Sequence, residues 1–530
     1  MKTYKIFILP ILLLMISACN KDFLNTEPLT SANEENFYKT PEDAYKALVG
    51  CYDGLQKVWT DGVALPVATE VFSDNCFGGT GNSDGLGYQM MDEFDKSRSP
   101  SDLNLFEKNW ELYYQGIYRC NMLLGKMDQI NWGTNTALKT TYESETRFLR
   151  AYMYFDMVRL WENIPLLTTP SKENIPQANP DSVYTVIAQD LKFAAENLPS
   201  VSYTSQPVAE HGRVTRWAAE ALLSRVYLFY TGYYNKQDLV GVVTKSQALG
   251  YLEDVISNGG FDLLTDFASL WPAASLDSYA GEDNRETVFS IKYTATSDYN
   301  GNVDGNYWMV MYGMRDQYSY PYGMGWGVTV NPKLWNAYSS NDTRRSASII
   351  SVTNERINYT KQKGQREYTG YYNKKYSPMV NENGVPLPEA LYNNTDFQHG
   401  QFEDYVSIRY ADVLLMAAEL GSPKAQDYFN EVRQRAYKDK FVQIPVTHDN
   451  IMKERWLEFA LEGIRYYDLL RQGLNQAAAE IAENTTVLNG GASATKTITA
   501  AKIIETRGFQ QVPYTQITLS NGVLKQNQGW

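Results

Sequence analysis

Residues 213–229 read RVTRWAAEALLSRVYLF. In and just beyond this stretch Ala219, Leu222, Leu223, Val226, Tyr227 and Tyr230 fall at i, i+3, i+4, i+7, i+8 and i+11, the spacing of one wide apolar face on an α-helix. The same spacing recurs at Phe148, Ala151, Tyr152 and Phe155. It predicts further helices over 41–58, 107–127, 180–198, 245–258, 408–420, 423–437 and 449–473. End signals agree: Pro41 and Pro180 stand just inside two starts, Glu42 and Asp181 place negative charge in first turns, and Gly259-Gly260 closes another helix.

Helical segments beginning near 145, 180, 215 and 247 are about 32 to 35 residues apart, close to the register of helical-hairpin repeats. A strict tetratricopeptide consensus does not recur, so the pattern predicts degenerate helix pairs that bury their apolar faces only against neighbouring pairs. Between about 260 and 405 the character changes to Gly, Asn, Tyr and Pro with short β-prone pieces such as Thr287–Tyr293. Helical periodicity resumes at Ile408, so this stretch reads as a loop-rich insertion on the scaffold, and loops held by rigid elements are where binding sites are built. The fold expected is mostly α: a superhelical scaffold of tetratricopeptide-like pairs over about 40–260 and 405–475, with the insertion between, all in one domain from residue 19 to 530.

Composition narrows the function. Of 530 residues, 43% are apolar and 21% charged, with 36 Gly and 20 Pro, which excludes disordered and collagen-like classes. Forty-eight basic against 61 acidic residues give a net charge of −13, which repels nucleic-acid phosphates. The three histidines, His211, His399 and His448, lie too far apart for a HExxH zinc site and leave little material for His-based hydrolysis.

Lys2 and Lys5 precede an apolar run from Ile6 to Ile16, too short to cross a bilayer, that ends in Ser17-Ala18-Cys19. Residues 1–18 read as a signal peptide, and the junction is similar to the lipobox at which bacterial lipoproteins are cleaved and acylated, here on Cys19. Acyl chains there would hold the chain on a membrane without a spanning helix. Losing two lysines takes the mature charge from −13 to −15. Cys51, Cys76 and Cys120 then remain, an odd number without CxxC spacing, so no disulfide framework is encoded and buried thiols are expected.

Gly81–Gly85 matches GxSxG, but the surrounding CFGGTGNSDGLGYQ (76–89) reads as a polar glycine loop without the strand and helix that strain a nucleophilic serine. Asn82 and Asp84 suit hydroxylated ligands better. Asp298, Asn300, Asn302 and Asp304 alternate oxygen donors before Gly305 as calcium loops do, yet the twelfth position is Met311 instead of Glu, so an Asx-rich turn is favoured over a calcium site. Carboxylates are plentiful enough for a glycosidase pair, though most sit where solvated faces and caps explain them. Arg147, Arg150, Arg225, Arg433 and Arg455 read as structural partners of Asp and Glu.

Residues 297–327 hold Tyr299, Tyr307, Trp308, Tyr312, Tyr318, Tyr320, Tyr322 and Trp326 with one basic residue, Arg315, and fit neither helical nor strand period. Flat amphipathic rings suit the apolar faces of sugars while Asn, Asp and backbone groups read the hydroxyls. Trp308 is the platform expected here; Trp326, in GWG before NPKLW, reads as framework.

The chain resembles the SusD/RagB family of outer-membrane nutrient-binding lipoproteins of Bacteroidetes. The resemblance runs through CNKDFLNTEP (19–28), PEDAYKALVGCYDGL (41–55), ETRFLRAYMYFDMVRLWENIPL (145–166), RVTRWAAEALLSRVYLF, IRYADVLLMAAEL (408–420), FNEVRQRA (429–436), KERWLEFALEGIRYYDLLR (453–471) and LKQNQGW (524–530), with Gln528 where the family often has Pro. It implies a helical fold, surface location, a SusC-like TonB-dependent transporter as partner, and no catalysis. It also implies that ligand contacts come from Asp74–Tyr88 and Trp271–Tyr322. The binding residues expected are therefore Trp308, Tyr307, Tyr320, Tyr312, Trp271, Asp74, Asn75, Asn82, Asp84 and Tyr88. The function expected is capture of a glycan for transport from a lipid anchor on the outer membrane, without nucleic acid and without cofactor beyond the weak calcium site. A peptide ligand, as in the RagB branch, and a glycoside hydrolase are the alternatives.

Overall fold

In the computed structural model, residues 37–60, 62–298 and 303–530 are described. The expected signal peptide (1–18), Cys19, Tyr299, Asn300 and Asn302 lie outside them.

The scaffold begins with α1 (Pro41–Gln56), whose start is fixed by a capping box between Thr40 and Asp43. It is followed by α2 (Glu107–Lys126), α3 (Thr136–Trp161), α4 (Pro180–Asn197), α5 (Arg216–Tyr233) and α6 (Lys245–Asn258). Each helix packs on the next, and α6 packs on α7 (Tyr410–Glu419), which pairs with α8 (Ala425–Tyr437). This is the stack of helix pairs that the periodicity predicts. No helix among the described residues is long and apolar enough to cross a membrane.

The insertion is fastened to this stack by shared core. Strand β1 (Thr287–Ile291) pairs antiparallel with β2 (Tyr405–Arg409) across the insertion's two ends. Phe289 of β1 meets Phe148 of α3 edge-on at 5.0 Å, and Tyr405 of β2 meets Trp59 at 5.4 Å. A smaller apolar cluster around Met314, Tyr322, Ile350 and Tyr372 belongs to the insertion itself.

Where β2 runs into α7, the motif arginines and glutamates form a buried ion-pair lattice. Arg409 donates to Glu286 (2.6 Å), Glu458 (2.9 Å) and both oxygens of Glu462 (2.8 and 2.9 Å). Arg435 bonds Glu286 and Glu458, Arg344 bonds Asp342, Glu454 and Glu458, and Lys375 reaches Glu462 at 2.6 Å. Burial alone would raise Glu458, but Arg435, Arg409 and Arg344 hold its carboxyl well below the usual range. Because Glu286, Glu458 and Glu462 each share two or more cations, removing one cation leaves buried negative charge only partly compensated. The arginines read as structural are so: Arg147 and Arg150 pair with Asp190, Arg225 and Arg455 with Asp412, and Arg433 with Glu454.

The helix expected over 449–473 is two helices, α9 (His448–Glu458) and α10 (Arg465–Leu470). Leu461 and Gly463 have φ of +68° and +79°, which ends the first. The break turns the Gly463 N–H onto Glu70 at 2.6 Å and sends Glu462 into the lattice. A Cβ on Gly463 would stand 3.0 Å from the Pro66 backbone. Beyond α10 lies a hairpin of β3 (Glu483–Asn489) and β4 (Ala492–Ile498), whose Lys496 ties Asp92, Glu93 and Glu367 together. Cys51, Cys76 and Cys120 are buried free thiols, and Cys51 is pushed up by contact with the Cys120 thiol and by burial.

Candidate functional site

Three stretches of the insertion meet around an open cleft of about 440 Å³. Pro272, Leu276, Tyr279 and Glu282 come from the first, Met309 and Tyr320 from the second, and Met379, Val380, Leu387, Leu391, Phe402 and Glu403 from the third. Backbone bonds fix the walls: Val380 N–H donates to Pro321 O at 3.0 Å, Leu387 N–H to Met379 O at 3.0 Å and Asn306 N–H to Gln401 O at 2.6 Å. The rim is aromatic. Tyr320 is 50% exposed, and exposed Tyr392 packs edge-on against Phe402 at 4.9 Å. Ser377, Asn381 and Gln401 supply hydrogen-bonding groups among aliphatic walls, the composition expected of a site for an amphipathic ligand.

The cleft is also acidic. Glu282 accepts a hydrogen bond from the Tyr279 hydroxyl, and burial followed by the charge of Asp404 pushes its carboxyl up to about 8. Burial drives Glu403 well above the usual carboxylate range, with Glu282 and Asp404 adding to it. Lys292 stands on the far side, shared between Asp283 and Asp404.

A second polar surface lies on the glycine loop. Arg315 pairs with Asp84 at 2.8 Å and stands 5.2 Å over the Trp326 ring, Arg366 donates to the Asp84 and Gly85 carbonyls, and Asn82 donates to Lys363 O at 2.8 Å. A Cβ on Gly81 would fall 2.5 Å from the Arg315 guanidinium, so this glycine permits close packing. The loop does have a flanking strand and helix, contrary to the sequence reading. Strand Cys76–Phe77 ends six residues before Ser83, however, and helix Gly87–Glu93 begins four after it, so neither abuts the serine as an elbow requires.

A family model described as the SusD family matches residues 285–530, and one described as starch-binding, associating with the outer membrane, matches 73–228. The chain belongs to the SusD/RagB family. A SusD-like protein of Bacteroides ovatus is 23% identical over 88% of this chain and 82% of its own length, and one of Formosa agariphila is 25% identical over 88% and 90%. Among solved structures, surface glycan-binding protein A of Bacteroides thetaiotaomicron in complex with laminarihexaose superposes with a TM-score of 0.74 at 23% identity, covering 93% of this chain and all of that one. A laminarin-binding SusD-like protein gives 0.71 at 26% identity over the same shares.

For this SusD-family chain the structure corrects several expected binding residues. Trp308 is 2% exposed, donates to the Tyr293 hydroxyl at 3.4 Å and packs against Tyr376 and Tyr405 at 5.1 and 5.7 Å, so it is core and not a platform. Tyr312 is buried with its hydroxyl on Pro66 O, and Trp271 is buried against Tyr376. Asp74 is locked by Arg465 at 2.8 Å and Lys333 at 3.3 Å, while Asn75 is held by Glu70 and Trp456, both at 2.7 Å. Of these, Tyr312 on Pro66 and Asp74 on Lys333 fasten the insertion to the scaffold, while Trp308, Trp271 and Asn75 are packed or bonded inside the protein. Tyr88 is half-buried, and Tyr307 stacks on His399 at 4.8 Å. Of the expected set, Tyr320 lines the cleft, and Asn82 and Asp84 belong to the second surface. Tyr279 and Glu282 lie within the implied stretch Trp271–Tyr322 without having been singled out, and Leu391, Phe402 and Glu403 lie outside it, because nothing in their local spacing joins stretches about a hundred residues apart. Of the calcium candidates Asp298 and Asp304 are described, and no group of three or more His, Cys, Asp or Glu among the described residues could hold a metal.

Proposed function

We propose that this protein is a cell-surface glycan-binding lipoprotein, held on the outer membrane through acylated Cys19, that captures an oligo- or polysaccharide in the insertion cleft and passes it to a SusC-like TonB-dependent transporter. The observation that carries the reading is the open cleft itself, with exposed Tyr320 and the Tyr392–Phe402 pair on its rim and amide and hydroxyl groups inside it. The structural neighbour bound to laminarihexaose supports the ligand class, and the outer-membrane description of one matching family supports the location.

Two features weigh against the alternatives. An extended peptide that adds a strand needs an unpaired edge, but the backbone along Met379–Asn381 is already bonded to Pro321, Leu387 and Val385. Glycoside hydrolysis needs an ionised carboxyl beside a carboxylic acid, and the buried pair Glu282 and Glu403 is driven upward together, which does not supply that division of roles within the pair. Calorimetric titration of the Cys19→Ala protein against purified polysaccharides and peptides tests the reading, with reducing-end release measured in parallel. Saturable binding to a polysaccharide without chain shortening is expected. Binding to peptides alone, or release of reducing ends, refutes it.

A further inference from the structure

The proposed glycan cleft lacks a counter-charge. Its lining includes four carboxyls, Asp277, Glu282, Glu382 and Glu403, and no Lys, Arg or His. Glu403 is 7% exposed and lines the cleft, yet no described residue donates a hydrogen bond or ion pair to its carboxyl. Lys292, whose charge acts on Glu282, is already divided between Asp283 and Asp404. A buried carboxylate left this way is unfavourable unless it takes up a proton or meets a cation. The cleft has the rings to help hold a cation, since Tyr279, Tyr320 and Phe402 line it and aromatic faces attract one. A sulfated or uronic sugar would instead set like charges against four carboxyls.

We infer that the cleft takes a sugar bearing a free primary amine, its ammonium seated at Glu403 and Glu282 and its ring against Tyr320, resting on the glycan reading above. The paired backbone along Met379–Asn381 favours an amino sugar over a lysine side chain as the source of that ammonium. Burial raises both carboxyls, with Asp404 acting on Glu282 and with Glu282 and Asp404 acting on Glu403, so in the empty cleft the protonated form is favoured and the ammonium replaces a proton: the Glu403 O–H gives H⁺ to buffer, and the carboxylate left behind pairs with the amine.

The test is calorimetry at neutral pH with β-1,4-glucosamine tetramer, its fully N-acetylated counterpart, laminarihexaose and a lysine-containing tetrapeptide, each run in two buffers of different ionisation enthalpy. The amine tetramer should bind at least tenfold tighter than the acetylated one, about 1.4 kcal/mol, with proton release visible as a buffer-dependent heat. Glu403→Gln, and independently Glu282→Gln, should reduce that preference to within twofold, with a thermal melt confirming that each variant is folded. Equal binding of acetylated and free tetramers overturns the amine assignment while leaving the glycan reading standing. A preference that survives in both folded variants overturns the placement of the ammonium, and tighter binding of the peptide overturns the sugar. Binding of none of the three glycans overturns the glycan reading and this inference with it.

Discussion

Replacing Tyr320 with alanine should weaken ligand binding and leave the fold intact. An aromatic side chain carries about 150–250 Å² of surface, so the half of Tyr320 that is exposed offers roughly 100 Å². If a sugar covers one ring face, about 50 Å² leaves water, and if it covers the whole exposed part, about 100 Å² does. At about 25 cal/mol per Å² these limits are about 1.3 and 2.5 kcal/mol, or about 10- to 60-fold in Kd. Trp308→Ala is the counterpart. Trp308 touches Tyr293, Tyr376 and Tyr405 inside the core, so its loss should cost about 3–5 kcal/mol of stability and lower the Tm by several degrees. Titration of each variant with the polysaccharide that the wild-type protein binds in the calorimetric screen, beside a thermal melt of the same sample, separates the two roles. Tyr320→Ala with a wild-type Tm and an affinity within twofold of wild type would refute the placement of the ligand in this cleft.

Arg409→Met should destabilise the protein by about 3–5 kcal/mol, because it withdraws one buried cation from each of Glu286, Glu458 and Glu462 and leaves Glu286 to Arg435 alone and Glu462 to Lys375 alone; denaturant unfolding measures it. Burial, with Asp254 alongside, lifts the Glu220 carboxyl to about 8 from 4.5, so the folded state holds a proton that the unfolded chain releases, and stability should fall as pH rises from about 4.5 to about 8. Glu70 (about 7) and Asp156 (about 6) act with the same sign, and Glu220→Gln should flatten the slope of Tm against pH. Cys19→Ala should move the protein from the membrane fraction to the aqueous one, which fractionation reads directly.

The scaffold was legible because its helices are amphipathic over many turns: α6 has the bounds that the pattern predicts, and α4 ends within one residue of them. The break between α9 and α10 was hidden because Leu461 keeps the apolar period while its backbone leaves the helix. The β3–β4 hairpin had a readable signal, Gly490-Gly491 between β-branched residues such as Thr485, Val487, Thr495 and Ile498, which was overlooked. The insertion's aromatic richness does not say which rings face outward: Tyr320 is exposed at the cleft while other rings of the same stretch are core. Without a period, sequence does not say which face a ring presents, and Trp308, Tyr312 and Trp271 turned out to bind the protein's own core. The cleft itself is built from tertiary proximity, which no single stretch encodes.

The ion-pair lattice also constrains how the chain reaches its folded state. Arg409 joins residues 123 positions before it and 53 after it, and Arg435 reaches back 149 to Glu286. Each link closes a long loop, and such closure is entropically costly until the contacts it allows are made. The early helix pairs can stack as they emerge, but Glu286 at the edge of β1 has no cation until β2 and α8 arrive, and Glu462 arrives only after α9. Docking of the 405–465 segment is therefore expected late in folding, and substitution of a lattice residue should slow refolding more than substitution in the helices of the N-terminal stack.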